Sequence, residues 1–103
     1  MTPYMYIVVR TDVKKEFQLV QACHAAIEAA FTFDRPDDIV HLVVLQVANK
    51  QELDEVSLQL YNENIPYEEF YESWGNLQNT ALATKPITKQ KEGVLSKLTL
   101  LTY

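Results

Sequence analysis

The chain has 103 residues, 48 % of them hydrophobic, and its 14 Asp+Glu outweigh 9 Lys+Arg for a formal charge of −5. A chain of that length hides roughly 60 % or more of its surface on folding, which excludes disorder and makes neither disulfides nor metals compulsory. The single cysteine, Cys23, excludes an intrachain disulfide; with His24 and His41 it falls short of a structural zinc site, and two glycines exclude Walker-type or dinucleotide-type phosphate loops.

Met5 to Arg10 is a continuous β-branched and aromatic run, which predicts a strand buried on both faces at the centre of a sheet. Thr11-Asp12 offers capping chemistry for a first helix, whose apolar stripe is expected at Phe17, Val20, His24, Ile27 and Phe31, widened by Leu19, Cys23, Ala26 and Ala30. Gln18, Gln21 and Glu28 fall on its other side, and Pro36 within Asp34 to Asp38 closes it. Ile39 to Val47 reads as a second buried strand. Asn49 followed by Glu52 is a capping box that opens a second helix through Leu53, Val56 and Leu60 to about Asn62. Tyr67 to Ser73 and Thr80 to Thr84 read as neighbouring strands around a turn at Trp74 to Asn79. Pro86 and Thr88 open a short third helix with Val94 and Leu95, weakened by Gly93, and Leu98 to Leu101 is a last strand or a packed tail. The order β-α-β-α-β-β-α predicts an α/β three-layer sandwich, a mixed sheet of about four strands flanked by helices, whose early crossovers are long enough for right-handed, parallel connections. No repeat or linker interrupts residues 1–103, so a single domain is expected. No apolar run reaches the roughly 18 residues of a membrane span and no signal peptide opens the chain, so the expectation is a soluble, cytoplasmic protein with no membrane partner.

Charge is unevenly placed. Glu52 to Glu72 holds seven acids and no Lys or Arg, whereas Arg10, Lys14 and Lys15 form a small basic group near the start. An acidic chain disfavours broad phosphate-backbone binding, while a local cationic patch remains possible. His24 sits on the expected apolar stripe, which points to a buried structural imidazole; Cys23 is a helix neighbour about 100° away and does not form a nucleophile-base pair with it. The constellation that promises chemistry lies at the carboxyl ends of strands, where α/β sheets bind ligands. Arg10, Asp12, Lys14 and Lys15 follow the first strand there, and the turn from Glu72 through Trp74 and Asn76 to Asn79 faces them, offering a carboxylate, a large aromatic and amides. Such a set can hold a small polar ligand or the end of an RNA; it can equally be a hairpin with Trp74 packed on the sheet.

Tyr6 to Val13 followed by Leu19-Val-Gln-Ala-Cys-His-Ala-Ala26 resembles the opening of type 2 (archaeal and eukaryotic) peptidyl-tRNA hydrolases, with their Arg-x-Asp turn and Ala-Gln-x-x-His-Ala helix. Val43 to Val47, the Glu52-Leu53 helix, Asn64-Ile65 and Thr80 to Pro86 are similar in order, so the resemblance covers nearly the whole chain. It is strongest toward the small branch of peptidyl-tRNA hydrolase domain-containing proteins, which share Gln-Ala-Cys-His-Ala-Ala. The resemblance implies a mixed sheet of about four strands flanked by helices, often a homodimer, and hydrolysis of the ester between peptide and tRNA; no cofactor or metal is expected. It places the family's Lys-Gly-Lys at Lys15-Glu16-Phe17, where one lysine is kept, and its catalytic Asp near Glu72; the family's following Thr has no clear partner in the Ser73 to Asn79 loop. Lys15 and Glu72 are thus the expected catalytic pair, Arg10, Asp12, Lys14, Trp74, Asn76 and Asn79 the binding groups, and His24 and Gln21 supporting residues. Three functions stand open: an esterase of this kind, a catalytically degenerate relative that binds a nucleotide or RNA end in the same cleft, and a protein-interaction module using the acidic helix around Asp54 and Glu55.

Overall fold

The computed structural model describes residues 2–88 and 93–102. Five strands, β1 (Tyr4–Arg10), β2 (His41–Val47), β3 (Tyr67–Glu72), β4 (Gln78–Thr84) and β5 (Thr99–Leu100), form one sheet in the order β3-β4-β1-β2-β5. Helices α1 (Lys15–Thr32) and α2 (Lys50–Asn62) pack on opposite faces, which completes the expected three-layer α/β sandwich. β1 pairs parallel with β2 and antiparallel with β4, so the predicted central strand is central, with Ile7, Val8 and Val9 buried. Its alternation splits the core in two: Tyr6 and Val8 face α2, and Met5, Ile7 and Val9 face α1.

On the α2 face the sequence pattern and the fold agree. Leu53, Val56 and Leu60 recur at helical spacing and bury against Val8, Leu45, Val47, Leu82, Val94 and Leu95, each large side chain contributing about 1.5–3 kcal/mol of burial. The Asn49 side chain accepts from the Glu52 amide at 3.0 Å, and the Glu52 carboxylate accepts from the Ala48 amide at 2.8 Å. The return bond of the capping box therefore lands one residue upstream of the cap.

On the α1 face the expected stripe is wrong. α1 buries Gln18, Gln21, Ala22, Ala25 and Ala29, while Val20, His24, Ile27 and Phe31 are exposed, as are Leu19 and Cys23. Ala22, Ala25 and Ala29 also recur at steps of three and four, so the sequence carries two apolar faces with helical periodicity. The alanines win because they meet Ala81 and Ala83 of β4 and the aliphatic side chains of β1, and small residues on both surfaces allow close approach. The inward glutamines are tolerated because their polar atoms find partners: Gln18 Nε2 donates to the Val13 carbonyl at 2.8 Å. Nor do Thr11 and Asp12 cap the helix. The cap residue is Lys14, with no side-chain bond, because Asp12 is held by Arg10 and the Thr11 hydroxyl donates to the Val47 carbonyl.

Three other expectations shift. β2 begins at His41 rather than Ile39 and is not fully buried, since its first two residues are exposed and the next two half-buried. α1 covers β1, β3 and β4 and leaves the start of β2 open. In place of a third α-helix, Ile87 bridges to Tyr4 and a 3₁₀ helix spans Gly93–Lys97; the intervening part of that prediction lies outside the described residues. The last segment is a strand, with β5 pairing antiparallel to β2. Among the described residues no helix is long and apolar enough to cross a membrane.

Candidate functional site

The carboxyl ends of β1 and β3, the start of β4 and the first turns of α1 meet at one end of the sheet. Arg10, at the last position of β1, fixes this meeting. Its guanidinium bonds bidentately to Asp12, at 2.9 Å on each carboxylate oxygen, and Nη1 donates to the carbonyls of Leu77 (2.5 Å) and Asn79 (2.9 Å). The expected approach of the β3–β4 turn to the segment after β1 is therefore present. Arg10 is itself buried, with most of its donors engaged inside the fold.

The turn adopts a tight path, with Gly75, Asn76 and Gln78 in the left-handed region. Gly and Asn accept that conformation at little cost, which accounts for Asn76 without reference to a ligand. Trp74 leaves the turn half exposed and meets Phe17 of α1 edge-on, with ring centroids 5.5 Å apart. Its packing on Phe17 ties the turn to the helix segment that begins with Lys15.

Behind this aromatic pair lies a chain of three side chains from three elements. Gln21 of α1 donates through Nε2 to Glu72 Oε1 at 2.8 Å and accepts through Oε1 from the Thr80 hydroxyl at 2.5 Å. The second carboxylate oxygen of Glu72 accepts from the Ser73 amide at 3.1 Å. Gln21 and Thr80 are buried and Glu72 is half-buried, so a carboxylate is held in a fixed orientation at the mouth while its supports are shielded from water. Thr80 was not among the expected site residues. A threonine inside an apolar strand reads as packing; the signal for it was the inward face of α1, which places Gln21 opposite β4.

Asn79 falls elsewhere. It is buried, and its Nδ2 donates at 2.8 Å to Asp54 of α2, on the other side of the sheet from Gln21; its Oδ1 has no hydrogen-bond partner among the described residues. Asp54 also receives Lys50 at 2.7 Å, and these two bonds hold its carboxyl below the usual carboxylate range, with desolvation opposing. Lys14 and Lys15 stand at the entry of α1, on the end of the sheet where β3 delivers Glu72. The structure thus gathers Arg10, Asp12, Lys14, Lys15, Gln21, Glu72 and Trp74 at one end and turns the Asn79 side chain to the α2 layer. His24 lies two turns along α1 from Phe17, exposed, with its ring stacked on Phe70 of β3 at 4.3 Å and 5°. The expected burial of His24 among Val20, Ile27 and Phe31 is corrected by that stack.

Among the described residues no group of His, Cys, Asp and Glu could hold a metal ion. No curated protein matches the chain. The family model for peptidyl-tRNA hydrolase PTH2 matches residues 4–101, which takes in every strand, both helices and the Glu72–Gln21–Thr80 chain, and the protein belongs to that family.

Proposed function

We propose that the protein hydrolyses the ester joining a peptide to tRNA, with Glu72 as the residue that positions and deprotonates water. The observation that carries this reading is the Glu72–Gln21–Thr80 chain: a carboxylate anchored by a neutral amide, which is in turn anchored by a hydroxyl. Gln21 fixes one oxygen of Glu72 and leaves the group's remaining lone pairs for a water at the mouth. Lys15, at the first turn of α1, supplies positive charge for the developing oxyanion or an adjacent phosphate, an effect worth a few kcal/mol in rate. Arg10 and Asp12 act as the clamp that holds the turn, and Trp74 offers a ring to a base. The test is hydrolysis of N-acetylaminoacyl-tRNA by the wild type and by Glu72→Gln and Lys15→Ala. Loss of hydrolysis in Glu72→Gln with tRNA binding retained supports the reading. A wild type that binds the tRNA without cleaving it makes this chain a degenerate relative that kept the cleft.

We further propose that the chain pairs with a second copy through the outer face of α1. Between Phe17 and Phe31 the helix has one charged residue, Glu28, and its solvent side shows Leu19, Val20 and Ile27 with Phe31 at 85 % exposure. Ile27 lines the same apolar hollow as Leu42, itself 60 % exposed, so the face continues onto the uncovered start of β2. A helix that shows large apolar side chains on its solvent side is normally covered by a partner surface. A patch whose helix carries Glu28 as its one charged residue between Phe17 and Phe31 also keeps repulsion between two chains of net charge −5 small. Sedimentation should show a dimer that Ile27→Asp dissociates; a monomeric wild type at high concentration overturns the pairing.

A further inference from the structure

The two outer strands close the sheet differently. β5 is two residues long, whereas β3 runs six residues from Tyr67 to Glu72 and pairs on one side only, with β4. The Lys85 amide donates to the Pro66 carbonyl at 2.8 Å, one step before the register of β3 with β4 begins. Bonded and unbonded pairs alternate along an antiparallel ladder, so Glu68 and Phe70 turn their backbone groups to β4 while Tyr67 and Glu69 turn theirs outward. Among the described residues no strand or loop bonds to that outer side. An open edge of this length is a template for another strand, and its side chains decide which strand fits.

β3 holds Glu68, Glu69 and Glu72 and no cation, within a stretch from Glu52 to Glu72 that has seven acids and no Lys or Arg. A second copy of β3 laid on the first sets two rows of carboxylates along one seam, which opposes self-pairing. A strand bearing Lys or Arg complements it. The Tyr71 hydroxyl donates to Glu69 at 2.8 Å and holds that carboxylate beside the edge. At the start of the strand a shallow hollow of about 720 Å³ is lined by Phe33, Tyr61, Tyr67 and Glu68. Aromatic rings beside a carboxylate suit an ammonium or guanidinium group, which gains both cation–π attraction and an ion pair. We propose that β3 is a docking edge for an extended basic segment of a partner protein. That segment adds a strand to the sheet through the outward backbone groups of Tyr67 and Glu69, sets one Lys or Arg into the hollow beside Tyr61 and Tyr67, and sets another against Glu69. The ladder supplies affinity, and the acids and tyrosines supply the choice of partner. Glu72 is engaged by Gln21 of α1, so this surface is separate from the candidate hydrolytic group and stands whether or not the protein cleaves an ester.

The probe is drawn from a displayed library of random octapeptides panned on the wild-type protein, and the strongest binder is then synthesised. Enriched peptides should carry Lys or Arg at alternate positions, the spacing that puts both on one side of a strand. Residue-resolved hydrogen exchange should find the Tyr67 and Glu69 amides fast in the free protein and slowed by the peptide, with Glu68 and Phe70 slow in both states. N-methylation of one alternate set of peptide amides should abolish binding while methylation of the other set does not, which separates strand pairing from charge attraction alone. Glu69→Lys should weaken binding roughly ten-fold. Glu69→Pro removes an outward N–H without touching the β4 ladder and should abolish binding; if it lowers the unfolding midpoint, Glu69→Lys and the methylated peptides still decide. The proposal is overturned by a library that enriches no peptides or peptides without alternate basic residues, by a binder that leaves Tyr67 and Glu69 exchanging freely, or by affinity that survives both methylations. Protection of those two amides that rises with the concentration of the protein alone overturns it in favour of a second copy.

Discussion

The two faces of the sheet are built from different materials. The α2 face is a leucine core: Leu45, Leu53, Leu60, Leu82 and Leu95 interlock, and polar contacts stay at its rim. The α1 face is an alanine core, where Ala22, Ala25 and Ala29 meet Ala81 and Ala83, and where two glutamines and a threonine lie buried beside them. Large aliphatic side chains supply stability through area and hold the layers apart; small ones supply little area but bring the helix near enough for a glutamine to bridge a strand hydroxyl and a neighbouring strand's carboxylate. The stable face and the candidate chemical face are thus separated by one strand thickness, and substitutions on each should fail in different ways.

The largest effect is expected at Leu60→Ala, which removes a fully buried side chain and should cost about 2–5 kcal/mol with any hydrolysis unchanged in the fraction that stays folded. Its counterpart, Ala25→Leu, forces bulk into the alanine interface; it should cost about 1–3 kcal/mol and also displace Gln21, so that activity falls further than the folded fraction does. Denaturant midpoints measured beside specific activity separate the two. Equal activity losses per unit of lost stability on both faces would erase the distinction.

Gln21→Ala comes next. It leaves the buried Thr80 hydroxyl without its acceptor and frees one oxygen of Glu72, so about 1–3 kcal/mol of stability should go together with the orientation of the carboxylate. Retained kcat in this variant, with only the midpoint lowered, would reduce the three-residue chain to packing.

This contrast also marks what the sequence could disclose. The strand order of events, the central β1, the Asn49 cap and the Leu53, Val56 and Leu60 stripe were legible because large apolar residues at a regular period admit one reading. Residues of α1 admit two, and weighting by side-chain size selects Val20, Ile27 and Phe31, the face that the fold leaves outside. Which face turns inward is decided by the alanines of β4, far away in sequence, and no local pattern carries that information. The placing of Glu72, Lys14 and Lys15 at one end of the sheet was legible from charge and position. Thr80 was missed for the same reason that α1 was misoriented, since its role appears only once Gln21 points at β4.

His24→Ala should show a smaller effect than a buried imidazole would. The ring lies exposed on Phe70, so removing it forfeits one stacked contact, about 0.5–1.5 kcal/mol, with no polar group left unpaired. Chemical-shift titration and the unfolding midpoint check this; a loss above about 3 kcal/mol would restore a core role.

The smallest expected change lies on the α2 side, at Asp54. Its carboxyl is held below the usual range by bonds from Lys50 and then Asn79, so the folded state binds a proton less readily than the unfolded chain. The stability this supplies is present above the unfolded carboxylate value and is lost as pH falls through the lowered folded one. Both members of the Lys50–Asp54 pair are about half exposed, and solvent screening keeps the pair to a few tenths of a kcal/mol. Asp54→Asn removes the charge but keeps a carbonyl that can accept from Asn79, so stability at neutral pH should barely move while the acid limb of the stability curve flattens slightly. Asp54→Ala removes the acceptor as well. Asn79, whose Oδ1 already lacks a partner among the described residues, would then be buried with its amide unpaired there, and the cost should rise to about 1–3 kcal/mol at every pH. Equal behaviour of the two variants would show that Asn79 finds another partner, and that the rim of the leucine core is as adaptable as its interior is fixed.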